Sequence, residues 1–147
     1  MPPDSDNWEI SQAIQLSLAL ADAGVDFIDV SSGALMAAQK VVSGPGYQVP
    51  FAAAIKKALE DTRKGTKTKV GAVGMITGGK QAEKILRKGG ADLVLVGREF
   101  QRNPGLVWDW AGELGVGVEV RAAKQIGGGF GQRGNGGVRG GAAAAKR

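Results

Sequence analysis

Apolar residues recur along this chain with two different spacings. After Asp6 and Glu9, which stand at capping-box spacing, Ile10, Ala13, Ile14, Ser17, Leu18 and Ala21 share one side of a 3.6-residue period. That predicts a helix, and Gly24 is its stop. "VDFIDVSS" (Val25–Ser32) is a short apolar run, predicted as a buried strand. A loop rich in Gly and Pro follows, and then a helix over Val49–Arg63. Its inward stripe is Phe51, Ile55, Ala58, Leu59 and Thr62, and Lys56, Lys57, Glu60, Asp61 and Lys64 form a solvated face. Lys69–Ile76 reads as a second strand, and "KQAEKILRKGG" as a short helix with Ala82, Ile85, Leu86 and Gly89 inward. Asp92–Gly97 is the third strand. Pro104, a favoured first helical residue, opens a last helix through Leu106, Val107, Trp110 and Leu114.

The order is therefore αβαβαβα. Strands that are apolar almost throughout, with helices between them, predict an α/β fold with a parallel sheet covered by helices. The pattern carries one domain over residues 1–125 and then stops. Residues 126–147 hold nine glycines and an alanine run without periodicity, the composition of a disordered Gly/Arg/Ala-rich tail. No run of about 18 apolar residues predicts a membrane span. The opening "MPPDSDNWEI" has neither a basic nor an apolar leader region, so a cytoplasmic location is expected.

Charge changes this picture little. The chain carries a net +5, but Arg133, Arg139, Lys146 and Arg147 lie in the tail with no acid, which leaves the first 125 residues at +1. The tail has RGG-like pieces, yet Phe130 is its lone aromatic, and base stacking needs more than one ring. Nucleic acid is thus not the expected partner. The chain contains no cysteine and no histidine, which excludes thiol chemistry and removes the commonest metal ligand and general base. No catalytic or metal-binding residue is assigned within it.

In parallel βα arrays, ligands meet the carboxyl ends of the strands. Ser31, Ser32 and Gly33 follow the first strand, where a turn satisfying its own hydrogen bonds is the plainer reading. Gly74 follows the second, either as packing room or as a place where a ligand approaches the backbone. Gly97 and Arg98 follow the third. Arginine offers a rigid donor fork suited to phosphate, a short helix start there would add N–H groups, and the alternative is pairing with Glu99 or Asp92. Two such corners on adjacent strands are more informative than either alone. If these strands close a (β/α)8 barrel, the corner is a phosphate clamp.

"GVDFIDVSSGA", "GPGYQVPFAAAIKK", "VGAVGMIT", "QAEKILRKGGADLVLVGREFQRNP" and "WAGELG" together resemble the C-terminal half of old yellow enzyme family proteins, most closely the YqjM-like NADPH dehydrogenase branch and its fungal relatives. The resemblance covers about Asn7–Gln125. It implies an incomplete TIM barrel, with the three strands as strands 6, 7 and 8. It implies FMN as cofactor, NAD(P)H as co-substrate and activated alkenes such as enones as substrates. It further implies that Gly74, Gly97 and Arg98 bind the FMN phosphate, with Arg133 a candidate for the arginine that reaches a neighbouring subunit. The family's substrate-holding His pair and proton-donating tyrosine would lie upstream of Met1, and Tyr47 matches a different motif. The expectation is a C-terminal portion or a truncated gene product, inactive alone and dependent on the missing half for activity, with that half or a second copy in a homo-oligomer as the expected protein partner. A non-enzymatic phosphate-binding module is the alternative. Glu99, Asp26 and Asp29 are expected to be structural.

Overall fold

In the computed structural model, which describes residues 8–33, 40–62 and 67–117, three parallel strands form one sheet in the order β1-β2-β3. They are β1 (Phe27–Val30), β2 (Lys69–Ala72) and β3 (Leu93–Val94), with Ile28 beside Val70 and Gly71 beside Leu93. The helices are α1 (Ile10–Asp22), α2 (Val49–Thr62), α3 (Gly79–Arg87), α4 (Arg98–Arg102) and α5 (Leu106–Leu114). The α/β alternation expected from the sequence holds, and α4 adds one short helix to it. The tail and Arg133 lie outside the described residues.

The core forms where one sheet face meets α1 and α2. Val30, Val70 and Ala72 pack there with Ala52, Ile55, Leu59 and Ala91, and Ile14 and Leu18 of α1 close over them. The sheet's other face is different. Phe27 and Leu93 are 39% and 45% exposed. A Cβ at Gly71 would stand 2.5 Å from the Phe27 ring and 2.6 Å from Leu95 Cδ1, so glycine lets these two side chains close over the sheet. Within a barrel this face would be the interior.

Local chemistry sets the helix ends. The α1 capping box lies between Glu9 and Gln12, whose Oε1 accepts from the Glu9 N–H at 2.7 Å. Asp6, its expected first partner, is outside the described residues. α5 starts at Leu106 and not at Pro104. The Asn103 carboxamide accepts from the Gly105 N–H at 2.9 Å, so Asn103–Gly105 is a side-chain-closed turn before the helix. α3 begins after Gly78, which has no side chain to cap it. Glu113 of α5 supplies the cap, accepting from the Gly79 N–H at 2.6 Å. Glu113→Ala should therefore cost about 1 kcal/mol, read as a lower urea midpoint, with Glu113→Gln in between.

Two expectations need correction. The ladder is shorter than Lys69–Ile76 and Asp92–Gly97, because the backbone turns away at Gly74 (φ 120°) and Met75 (φ 49°). The last β2–β3 bond runs from Leu95 N–H to Ala72 C=O. Lys56 does not sit on a solvated face. Its side chain is 17% exposed and its ammonium lies 2.7 Å from Asp92. α2 packs against the sheet over a wider arc than its apolar stripe, and the long lysine stem carries the charge to a carboxylate at the amino end of β3.

Candidate functional site

The carboxyl ends of β2 and β3 converge on a cleft of about 300 Å³, and Gly74, Gly97 and Arg98 all line it. Tyr47, Met75 and Arg102 line it too. This volume is at the low end of small-molecule sites, so the cleft suits one end of a ligand.

The two glycines are there for different reasons. Gly74 is buried with φ 120°, and an added Cβ would lie 2.9 Å from Tyr47 Cε1 and 3.0 Å from Gln48 Nε2. Packing and backbone conformation together explain it. Gly97 has φ −100°, which any residue adopts, and no described atom lies within 4 Å of where its Cβ would be. Nothing in the described protein demands glycine at 97. The bare backbone leaves open space at the cleft rim, next to Arg98.

Arg98 is exposed and pairs with neither carboxylate suggested by the sequence. Asp92 belongs to Lys56, and Glu99 accepts from the Arg102 guanidinium. Among the described residues Arg98 makes no ion pair or side-chain hydrogen bond. Glu99 thus has a partner in Arg102. The backbone N–H groups of Met75, Ile76, Gly97 and Arg98 donate to no described residue. A fixed cation and a set of uncommitted amides thus stand together at two adjacent strand ends, the donor types that anion-binding concavities use.

The other candidates lie elsewhere. Ser31 and Ser32 line a separate hollow with Trp8 and Phe51. Ser32 uses its backbone N–H, which donates to Gln48 Oε1, and Gly33 has φ 96°, so both contribute to chain geometry there. Asp26 and Asp29 are exposed on or beside β1, away from the cleft. Among the described residues no group of three His, Cys, Asp or Glu side chains could hold a metal, and no helix is long and apolar enough to cross a membrane.

Sequence reasoning missed two glutamines that hold the backbone beside the cleft, Gln48 within its lining and Gln81 behind it. Gln48, 3% exposed, accepts from the Ser32 N–H and donates to Val73 C=O at 3.3 Å, joining the ends of β1 and β2. Gln81 donates to Met75 C=O and accepts from the Thr77 N–H, both at 3.0 Å. A signal for Gln81 was available: it is the third residue of α3, the position from which Gln reaches back across a helix start. Gln48 has no comparable local signature.

The fold is an α/β sheet with a cleft at the ends of β2 and β3, lined by an arginine and backbone amides that no described residue engages. Residues 2–113 match the model of the NADH:flavin oxidoreductase / NADH oxidase family, and the chain belongs to that family. It is 43% identical over 134 residues to an NADH:flavin oxidoreductase of Gibberella zeae, covering 90% of this chain and 30% of that protein. It is 47% identical over 106 residues to the NADPH dehydrogenase of a Geobacillus strain, covering 72% of this chain and 28% of that protein. It is 45% identical over 111 residues to the NADPH dehydrogenase of Bacillus pumilus, covering 76% of this chain and 30% of that protein. The chain thus spans less than a third of the length of these relatives. Membership in a flavin oxidoreductase family agrees with the old yellow enzyme resemblance read from the sequence motifs, and the three parallel strands with their helices are an incomplete portion of its barrel fold.

Proposed function

We propose that this chain supplies the phosphate-holding part of an FMN site in an NAD(P)H-dependent oxidoreductase that reduces activated alkenes. The observation that carries this reading is the Gly97–Arg98 corner: a glycine that neither packing nor φ requires, beside an arginine with no protein partner among the described residues. A phosphate monoester fits that donor set, because the Arg98 fork and the rim amides offer several N–H groups to a multiply charged oxygen cluster. Flavin would supply the hydride-accepting and hydride-donating chemistry. Gly74, Gly97 and Arg98 would anchor its phosphate end, and Gly97 would let that end approach the backbone.

The ring and the substrate need groups that these three strands do not offer. Histidine is absent, and Glu99 is committed to Arg102. Hydride transfer is therefore assigned to the barrel as a whole, with strands beyond these three. About three charge-assisted hydrogen bonds at the corner would contribute roughly 5–9 kcal/mol gross. Association costs roughly 4–15 kcal/mol, so little net affinity remains for the chain alone.

Flavin fluorescence titration tests the reading. The 147-residue chain should bind FMN with a Kd weaker than about 1 μM, and Arg98→Ala should weaken it roughly tenfold further. NADPH oxidation with cyclohexenone should be absent for the chain alone and should need the remaining strands. Equal affinities of wild type and Arg98→Ala would remove the corner from the FMN site. Turnover by the chain alone would show that the chemistry resides within these residues.

A further inference from the structure

We infer that Gln81 is a positioning residue for the anion corner, acting by holding Met75 in its left-handed backbone conformation. The inference rests on the reading of the cleft as a phosphate site. Among the described residues Met75 is the one non-glycine with positive φ, at 49°. L-residues avoid that region, so surrounding bonds must hold it there. Three such bonds are present. Gly74 C=O accepts from the Gly46 N–H at 2.9 Å, which fixes the preceding peptide. The Gln81 carboxamide then grips the following segment with both ends, Nε2 to Met75 C=O and Oε1 from the Thr77 N–H, each at 3.0 Å. Its two partners settle which end is which, since a carbonyl needs a donor and an amide N–H needs an acceptor.

The bridge has a consequence for the cleft. Gln81 sits in the first turn of α3 and is not itself a cleft-lining residue, whereas Met75 and Thr77 are. With both peptides held from behind, the N–H groups of Met75 and Ile76 stay uncommitted at the rim. Without the bridge, Met75 would relax toward an ordinary φ, and those amides would turn away from the position they share with Gly97 and Arg98. Gln81 therefore acts through the loop and makes no contact with the ligand.

The test compares FMN with riboflavin, which lacks the phosphate, on the full chain by amide chemical-shift titration. Wild type should prefer FMN. Gln81→Met should lose at least about fivefold of that preference, on the order of one lost hydrogen-bonding peptide. Adding Met75→Gly to Gln81→Met should restore most of it, because glycine adopts positive φ without help. Gln81→Glu, which keeps the acceptor for Thr77 and loses the donor to Met75, is measured alongside and should also lose preference, so the result does not depend on one variant folding. An unchanged FMN-to-riboflavin ratio in both variants overturns the role of Gln81 and leaves the corner's assignment standing. Loss without rescue by Met75→Gly overturns positioning through Met75. A wild type that does not distinguish the two flavins overturns the assignment and the inference together.

Discussion

Gly74→Ala should lower the stability of the chain by about 2–4 kcal/mol, combining left-handed backbone strain with overpacking. Both costs are visible at the site. The residue has φ 120°, and a methyl group would meet Tyr47 at 2.9 Å and Gln48 at 3.0 Å. Gln48 cannot retreat freely: it is 3% exposed and bonded at both ends of its carboxamide. The change should appear as a lower urea midpoint. Gly97→Ala, in the same cleft, should cost less than about 1 kcal/mol, the scale of a weakened N-cap. It should still weaken FMN, because the methyl would occupy the space left for the ligand. If both substitutions destabilised the chain equally, the distinction between a packing glycine and a binding glycine would be lost.

Asp92→Ala should cost a similar amount, about 2–4 kcal/mol, the range for breaking a largely buried ion pair with some solvent access. The Asp92 side chain is 20% exposed and has three partners, two of them hydrogen-bond donors. Its Oδ1 lies 2.7 Å from the Lys56 ammonium and 3.9 Å from that of Lys69, and its Oδ2 accepts from the Val70 N–H at 2.9 Å. Removing it leaves the Lys56 charge at 17% exposure without its closest partner. Asp92→Asn should cost less, since a carboxamide oxygen can still accept from Val70. Acid has a related effect. Burial alone would raise the Asp92 pKa, but the hydrogen bonds from Lys56 and Val70 and the two lysine charges outweigh it and hold the carboxyl below its ordinary value. A carboxylate with a depressed folded pKa stabilises the fold above its unfolded pKa, near 3.9, and that contribution is lost as pH falls through the folded value. Urea midpoints should therefore fall below about pH 4 in wild type and fall less steeply in Asp92→Asn.

Much of this was legible in the sequence, and the reasons are particular. The α1, α2 and α3 stripes were readable in part: Ile14, Ile55 and Ile85 pack into or against the core, whereas Ile10, Phe51, Thr62 and Gly89, also read as inward, are exposed at the ends of their stripes. Gly74, Gly97 and Arg98 were readable as strand-end residues, and the structure brings them to one cleft. Sequence could not say that one glycine answers to Tyr47 and the other to open space, because that depends on what folds over each. The partners of Lys56 and Gln48 were hidden for the same reason. Asp92 is 36 residues from Lys56, and Ser32 is 16 from Gln48. Strand ends were overrun because apolar composition continues past Ala72, while pairing stops where Gly74 and Met75 turn the backbone.

In the proposed site the carboxyl ends of β2 and β3 take the phosphate end of FMN. Amide chemical-shift mapping of the isotope-labelled chain with FMN tests it most directly. The largest shifts should fall at Gly74–Thr77 and Gly97–Glu99, strongly reduced in Arg98→Ala. Shifts centred on another surface, such as the groove between Pro45 and Lys84, or a pattern unaltered by Arg98→Ala, would contradict it.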